Sequence, residues 1–284
     1  MSAEGPQQRV APFTFPRLYQ SPLKQPAAPP VHREVRFLLG EELALFEQGM
    51  NLELRIVADS RAGRYRTHGL AALLGLWSRA FACRADACSL LTRGGYASCP
   101  PLLRTACDCI AAQSGLAGGG LHEFIDWLGA MGQDHERAAL NVGLGRYRAG
   151  SMLAGDEPLG AVYRVVSDLC MTHFGATLLQ VAPESDLSKM SIAFADSGFH
   201  LGWAELIAGW LLVLVRAQLK TAAAADTVFA VSAEAREELA TLSAEAERVL
   251  AKPDRCRIEE LDDGHYLVHN FRRHAGGAPR RVLL

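Results

Sequence analysis

The segment YRVVSDLCMTHF sets Tyr163, Arg164, Ser167, Asp168 and His173 into an otherwise apolar stretch. Read as a helix, it puts Tyr163 and Ser167 on one face and Arg164 and Asp168 on the next, each pair four residues apart. Arg104 and Asp108 repeat the Arg/Asp spacing on an earlier helical stretch. An arginine in the middle of an apolar helix needs an anionic neighbour: an unpaired buried charge is very costly, and the guanidinium fork binds carboxylates and phosphates bidentately. Two chemistries follow. In the first, Asp108 and Asp168 satisfy Arg104 and Arg164 completely, and the shared polar seam is an internal network that sets helix register. In the second, spare guanidinium donors face a cavity and clamp a phosphate or carboxylate, with Tyr163, Ser167 and His173 around it. His173 also has a simpler role, as a cation near the end of a helix that stops at Gly175.

Other chemistries have no carrier in the chain. There is no G-x-x-x-x-G-K-[ST] phosphate loop and no G-x-S-x-G nucleophile elbow. GLGRYRAG carries Arg148 where a dinucleotide loop needs its third glycine, and it lacks a βαβ setting. No glutamate has a histidine three residues later, as a di-iron bundle requires, and no C-x-x-C occurs. His122, Glu123, Asp126 and the trio Asp134-His135-Glu136 read as a solvated polar face. Neither a metal nor a cofactor is expected.

The elements that must position these residues are helical. Hydrophobic residues make up 49% of the 284, charged residues 21%, and mean hydropathy is +0.06, a globular composition. Aromatics are only 7%, with Ala and Leu abundant, which favours helices over strands. The net charge of −2 excludes a protein that coats nucleic acid by overall basicity, while leaving room for a local basic face. The N-terminus has no apolar core behind a positive leader, so a cytoplasmic location is expected. The longest apolar run, 206–215, has ten residues against the roughly 20 of a membrane span, and reads as a buried core helix with no membrane partner. Seven cysteines read as free thiols; Cys107 and Cys109 lie two apart on a helix and cannot pair. Arginine outnumbers lysine 25 to 4, a habit of GC-rich bacterial coding.

Residues 1–32 hold seven of the thirteen prolines and read as a flexible arm, with Phe13, Phe15, Leu18 and Tyr19 as its apolar content. A helical bundle is expected over 33–252, and a β-hairpin with a basic tail over 253–284; the fold class is therefore all-α, a multi-helix bundle with a short C-terminal hairpin. The clearest helix spans 69–92, with Leu70, Leu74, Trp77, Phe81, Cys88 and Leu91 recurring at three and four residues and Arg84 intruding on the stripe. Gly94 and Gly95 should end it. Ser98 as N-cap and prolines 100 and 101 in the first turn open the next helix, making an antiparallel hairpin. Short helices are expected near 121–128 and 134–142. Another helix starts at Pro158 and ends near 174–175. A fourth, over 198–220, is apolar nearly all round and central to the bundle. The last is capped by Ser232. Asp263-Gly264 marks the hairpin turn.

The run SRAFACRADACSLLTRGGYASCPPLLRTACDCIAAQ, with YRVVSDLCMTHFG after it, resembles bacterial helical proteins of the HEPN kind (higher eukaryotes and prokaryotes nucleotide-binding) over about residues 66–175. Many such bundles act in toxin–antitoxin and phage-defence systems. The resemblance implies a helical bundle, a homo-oligomer, and contact with nucleic acid or a protein partner. Its ribonucleases use Arg and His separated by four to six residues. Here one pair fits, Arg61 to His68, with Ala62 where a polar residue is usual, and it straddles Gly63 near a helix start, so the spacing supports no nuclease assignment.

Two functional readings follow. The first is an interaction module of the cytoplasm, associated with nucleic acid in a defence or toxin–antitoxin-like system. The second is a small-molecule enzyme with an interhelical pocket lined by Arg104, Tyr163, Arg164 and His173. It ranks lower because no nucleophile–base pair or metal set is visible.

Overall fold

The computed structural model describes residues 21, 30–61, 68–120, 133–134, 139–140, 153, 158–172, 174–185, 192–193, 196–262 and 264–284. Among them are eight α-helices: α1 (Pro30–Leu38), α2 (Gly40–Arg61), α3 (His68–Leu91), α4 (Cys99–Gly115), α5 (Leu159–Cys170), α6 (Phe174–Val181), α7 (Leu201–Ala224) and α8 (Ala233–Leu250). The strand pair β1 (Gln133–Asp134) and β2 (Ala139–Leu140) is antiparallel. A three-stranded antiparallel sheet of β3 (Arg257–Glu260), β4 (Tyr266–Phe271) and β5 (Arg280–Leu283) closes the chain. The protein is an all-α bundle with a small C-terminal sheet.

Helix α7 is the axis of the bundle. It packs against α2, α3, α4, α5 and α8, and 17 of its 24 residues are buried. That burial follows from a helix apolar on every side, which must be surrounded. Trp203 is 2% exposed and Trp210 8%. Gly49 of α2 lets the two helices approach: a Cβ there would stand 2.7 Å from a Val215 methyl.

Helices α3 and α4 form the expected hairpin. The Gly95 N–H donates to the Leu90 carbonyl (2.9 Å) and the Gly94 N–H to that of Leu91 (3.3 Å), a Schellman closure. Gly94 takes φ +75°, and an added Cβ would meet the Ser197 carbonyl at 2.1 Å, so no other residue fits. Ser98 does sit at the N-cap of α4, yet its side chain makes no cap bond; Cys99 opens the helix and the prolines follow in the first turn.

Several elements differ from expectation. The chain becomes helical at Pro30, because Val31 and Val35 already face the core. The helix after Pro158 stops at Cys170, and α6 starts afresh at Phe174. The helix expected over 134–142 is replaced, where it is described, by the β1–β2 ladder. The C-terminal tail adds a third strand: Val282 pairs with Val268 and Arg280 with Phe271. The segment expected as a helix over 121–128 lies outside the described residues.

Candidate functional site

The residues singled out from sequence, His173 apart, lie on α4 and α5, which pack directly together. Tyr163 projects toward α4, where the Arg104 guanidinium carbon stands 6.0 Å from its ring centroid, at the outer edge of a cation–π contact. Asp108 lies one turn further along α4. Burial raises its pKa, opposed by the positive charges of Arg104 and Arg79. Ser167, one turn on from Tyr163, has a buried hydroxyl oxygen without a hydrogen-bond partner among the described residues.

Arg164 is one position, and so about 100°, round the helix from Tyr163. It faces the C-terminal sheet, where its Nε donates to Glu260 at 2.8 Å. That pair is partly solvated, with 35% and 40% of the two side chains exposed. Asp168 accepts a 2.8 Å hydrogen bond from the Tyr266 hydroxyl on β4, and burial together with that carboxylate raises the tyrosine's pKa. The structure therefore brings Arg104, Asp108 and Tyr163 to one side of α5 and joins Arg164 and Asp168 to the sheet. His173 lies outside the described residues. So do His122, Glu123, Asp126, His135 and Glu136, and the side chains of Arg61 and His68. Among the described residues no group of three or more His, Cys, Asp or Glu could hold a metal ion.

The strongest buried polar networks lie elsewhere. Arg84 and Glu53 are both fully buried, joined by two parallel bonds of 2.5 and 2.8 Å. Glu53 also accepts the Trp77 indole N–H (2.6 Å), and Arg84 Nε donates to the Ala80 carbonyl (3.0 Å). Arg255 pairs with Glu42 at 2.7 Å, again with both side chains nearly buried. Glu53 could have been found in the sequence: it is the one charge in the apolar run between Leu52 and Val57 apart from Arg55, and it matches the arginine intruding on the α3 stripe. The thiols of Cys99, Cys107 and Cys256 are pushed up by burial, and Cys109 to about 11 by the same cause. That is the environment of inert packing thiols, not of nucleophiles.

The surface that stands out is on α1. Val31, His32 and Val35 face the core, while Pro30, Arg33, Glu34, Arg36 and Phe37 are exposed. Phe37 is 88% exposed. Beside it lies an open concavity of about 350 Å³ lined by Arg33, Glu34, Phe37, Leu38, Phe199, His274 and Ala275. Sequence reasoning missed this face because it began the bundle at residue 33, inside α1, and assigned the helix's first turn to the arm; proline at the first position with Val31 and Val35 four apart was the available signal.

Against known protein families, curated proteins and solved structures, the chain finds no match. The HEPN-like resemblance thus rests on the residue pattern alone.

Proposed function

We propose that this chain is a helical interaction module that holds a macromolecular partner against the exposed face of α1. The observation that carries this reading is Phe37, 88% exposed beside an open concavity, on a helix whose opposite face is anchored in the core. A large aromatic held rigidly in water next to a hollow is the usual anchor of a binding surface. The setting consistent with the resemblance is a bacterial cytoplasm, in a defence or toxin–antitoxin-like system with nucleic acid nearby. Arg33 and Arg36, four and one positions before Phe37 on the same exposed helix, support the nucleic-acid part, since unpaired bases stack on aromatics that have guanidinium groups beside them.

The enzyme reading has less support. It needs Arg104, Tyr163, Arg164 and His173 in one pocket, and Arg104 and Arg164 sit on different sides of α5 with partners of their own.

The test compares native-source protein with its Phe37→Asp variant by light scattering, the 260/280 nm absorbance ratio and metal analysis. The expected result is that the wild type carries associated mass, as extra protein or as nucleic acid, which the variant loses with no change in melting temperature. A bare wild-type monomer carrying a stoichiometric metal or chromophore would favour the enzyme instead.

A further inference from the structure

Asp108 follows Arg104 by four residues on α4, the spacing at which it could satisfy the arginine, yet among the described residues the two share no hydrogen bond or ion pair. An acid placed after the base along a helix is the weaker order for such a pair. Arg84, Arg164 and Arg255, by contrast, each donate to a glutamate. Arg104 has the Tyr163 ring beside it, 6.0 Å from the guanidinium carbon, and none of its five N–H donors is taken among the described residues. On α5, Tyr163, Ser167 and Cys170 share one face at i, i+4 and i+7. Arg104 stands against the first of these, and its charge reaches the thiol of the last, so Ser167 lies between them on the side that faces the guanidinium. The Ser167 hydroxyl is closed to solvent and has no hydrogen-bond partner among the described residues. A buried hydroxyl left without a partner is costly and rare. The local charge is positive: Arg104 and Arg79 both act on the single carboxylate of Asp108.

We propose that the α4–α5 seam is a binding site for a small oxyanion, a carboxylate or phosphate group held by the Arg104 guanidinium fork and the Ser167 hydroxyl. The fork matches two oxygens of such a group, and the hydroxyl donates to the same oxyanion. The Tyr163 ring steadies the guanidinium and consumes none of its donors. Arg104 and Tyr163 are both partly exposed, so the anion enters past them to reach the serine. The site is separate from the exposed face of α1, and either can fail without the other.

Calorimetric melting of the intact chain tests this, with inorganic phosphate and acetate titrated separately against sodium chloride at fixed ionic strength. The wild type is expected to gain melting temperature with at least one of them along a saturating curve, as mass action requires of a ligand that binds the folded state. Arg104→Lys keeps the charge and loses the fork, and should weaken the fitted affinity about tenfold. Ser167→Ala should weaken it about threefold, while melting no lower than the wild type in chloride, since it removes a buried hydroxyl that has no partner. Arg164→Lys, on the other side of α5, should respond as the wild type does. Saturation with phosphate alone identifies a phosphate group, with acetate alone a carboxylate, and with both the shared oxyanion; each supports the proposal. A wild type that saturates with neither overturns it. So does an Arg104→Lys or Ser167→Ala variant that responds like the wild type, because the gain is then a general salt effect, and so does an equal loss in Arg164→Lys.

Discussion

At the scale of single residues, the Arg84–Glu53–Trp77 network carries the sharpest energetic consequence. Its bonds close on each other inside the core, with no exposure on either charged side chain. Removing one charge leaves the other buried and uncompensated, which costs about 3–5 kcal/mol. Glu53→Gln keeps an acceptor for Trp77 and loses the charge, so its urea midpoint should fall by that much stability; a loss below about 1 kcal/mol would mean that water reaches the site. Replacing both partners by apolar residues, as in Glu53→Leu with Arg84→Met, should recover most of the loss. Arg164 predicts the opposite. Its pair with Glu260 is more than a third exposed, and such pairs are worth about 0–1 kcal/mol. Arg164→Lys is therefore expected to change the melting temperature little. A large loss would show that more of Arg164 matters to the fold than its bond to Glu260.

At the scale of elements, the start of α7 deserves its own experiment because it is capped by a titrating group. The Leu201 and Gly202 N–H groups donate to the carbonyls of Arg273 and Arg272 (2.8 and 2.9 Å). The third, on Trp203, donates to His200 Nδ1 (3.3 Å). His200 is 2% exposed, and burial, helped by the charges of Arg273 and Arg280 and opposed by Glu184 and Asp196, lowers its pKa to about 4. Its Nδ1 must stay unprotonated to accept the bond. The unfolded chain takes up a proton near pH 6.5 and the folded one only near 4, so stability is full above about 6.5 and is lost as pH falls between those values, by at most about 3 kcal/mol. His200→Asn keeps a capping acceptor without titrating, and should flatten that part of the stability–pH curve. An imidazole carbon shift titrating near 6.5 in the folded protein would sink the idea. Further along the same helix, Trp210→Asp places an unpaired charge in the core. The cost, roughly 3 kcal/mol or more against a total of about 5–15, should abolish cooperative melting; a normal melting temperature would mean that α7 is not the axis of the bundle.

For the whole molecule, the C-terminal sheet is part of the bundle's architecture. Phe271 of β4 is fully buried, 6.1 Å from the Trp203 ring, and packs 4.5 Å from that of His200. Arg273 ties the sheet to the approach to α7 through Glu184 (2.9 Å) and Asp196 (2.6 Å). Ending the chain before β3 would strip α7 of two carbonyl partners and uncover Trp203. The truncated protein is expected to bind hydrophobic dyes and lose its cooperative transition; a sharp transition near the wild-type temperature would show that the bundle folds without its sheet.

What was legible in the sequence and what was not divide along a physical line. Helix identity was local information. The three- and four-residue apolar period of α3, the glycines that close it, Ser232 accepting the Ala235 N–H at 3.1 Å, and the all-round apolarity of α7 each depend on neighbours a few positions away. The Asp263-Gly264 signal is local as well: Gly264 takes φ +81° between β3 and β4, which pair. Partners between distant elements were not local. Arg164 finds Glu260 and Asp168 finds Tyr266 because the sheet folds back over α5, and nothing in the four-residue spacing of Arg164 and Asp168 points to that sheet. Arg104 and Arg164 read as one seam on two amphipathic helices, but the rotation of α5 about its axis sends Tyr163 toward α4 and Arg164 toward β3. The exposed stripe of α1 is visible only once Val31 and Val35 are seen to dock, because a nine-residue helix has no stability of its own and takes its orientation from the core it covers. The sequence alone determined the long, strongly periodic helices and that one of them must be central; the tertiary structure decided the short elements, which side chains meet and which face stays open, since these depend on how elements rotate and cross, and no short-range pattern encodes that.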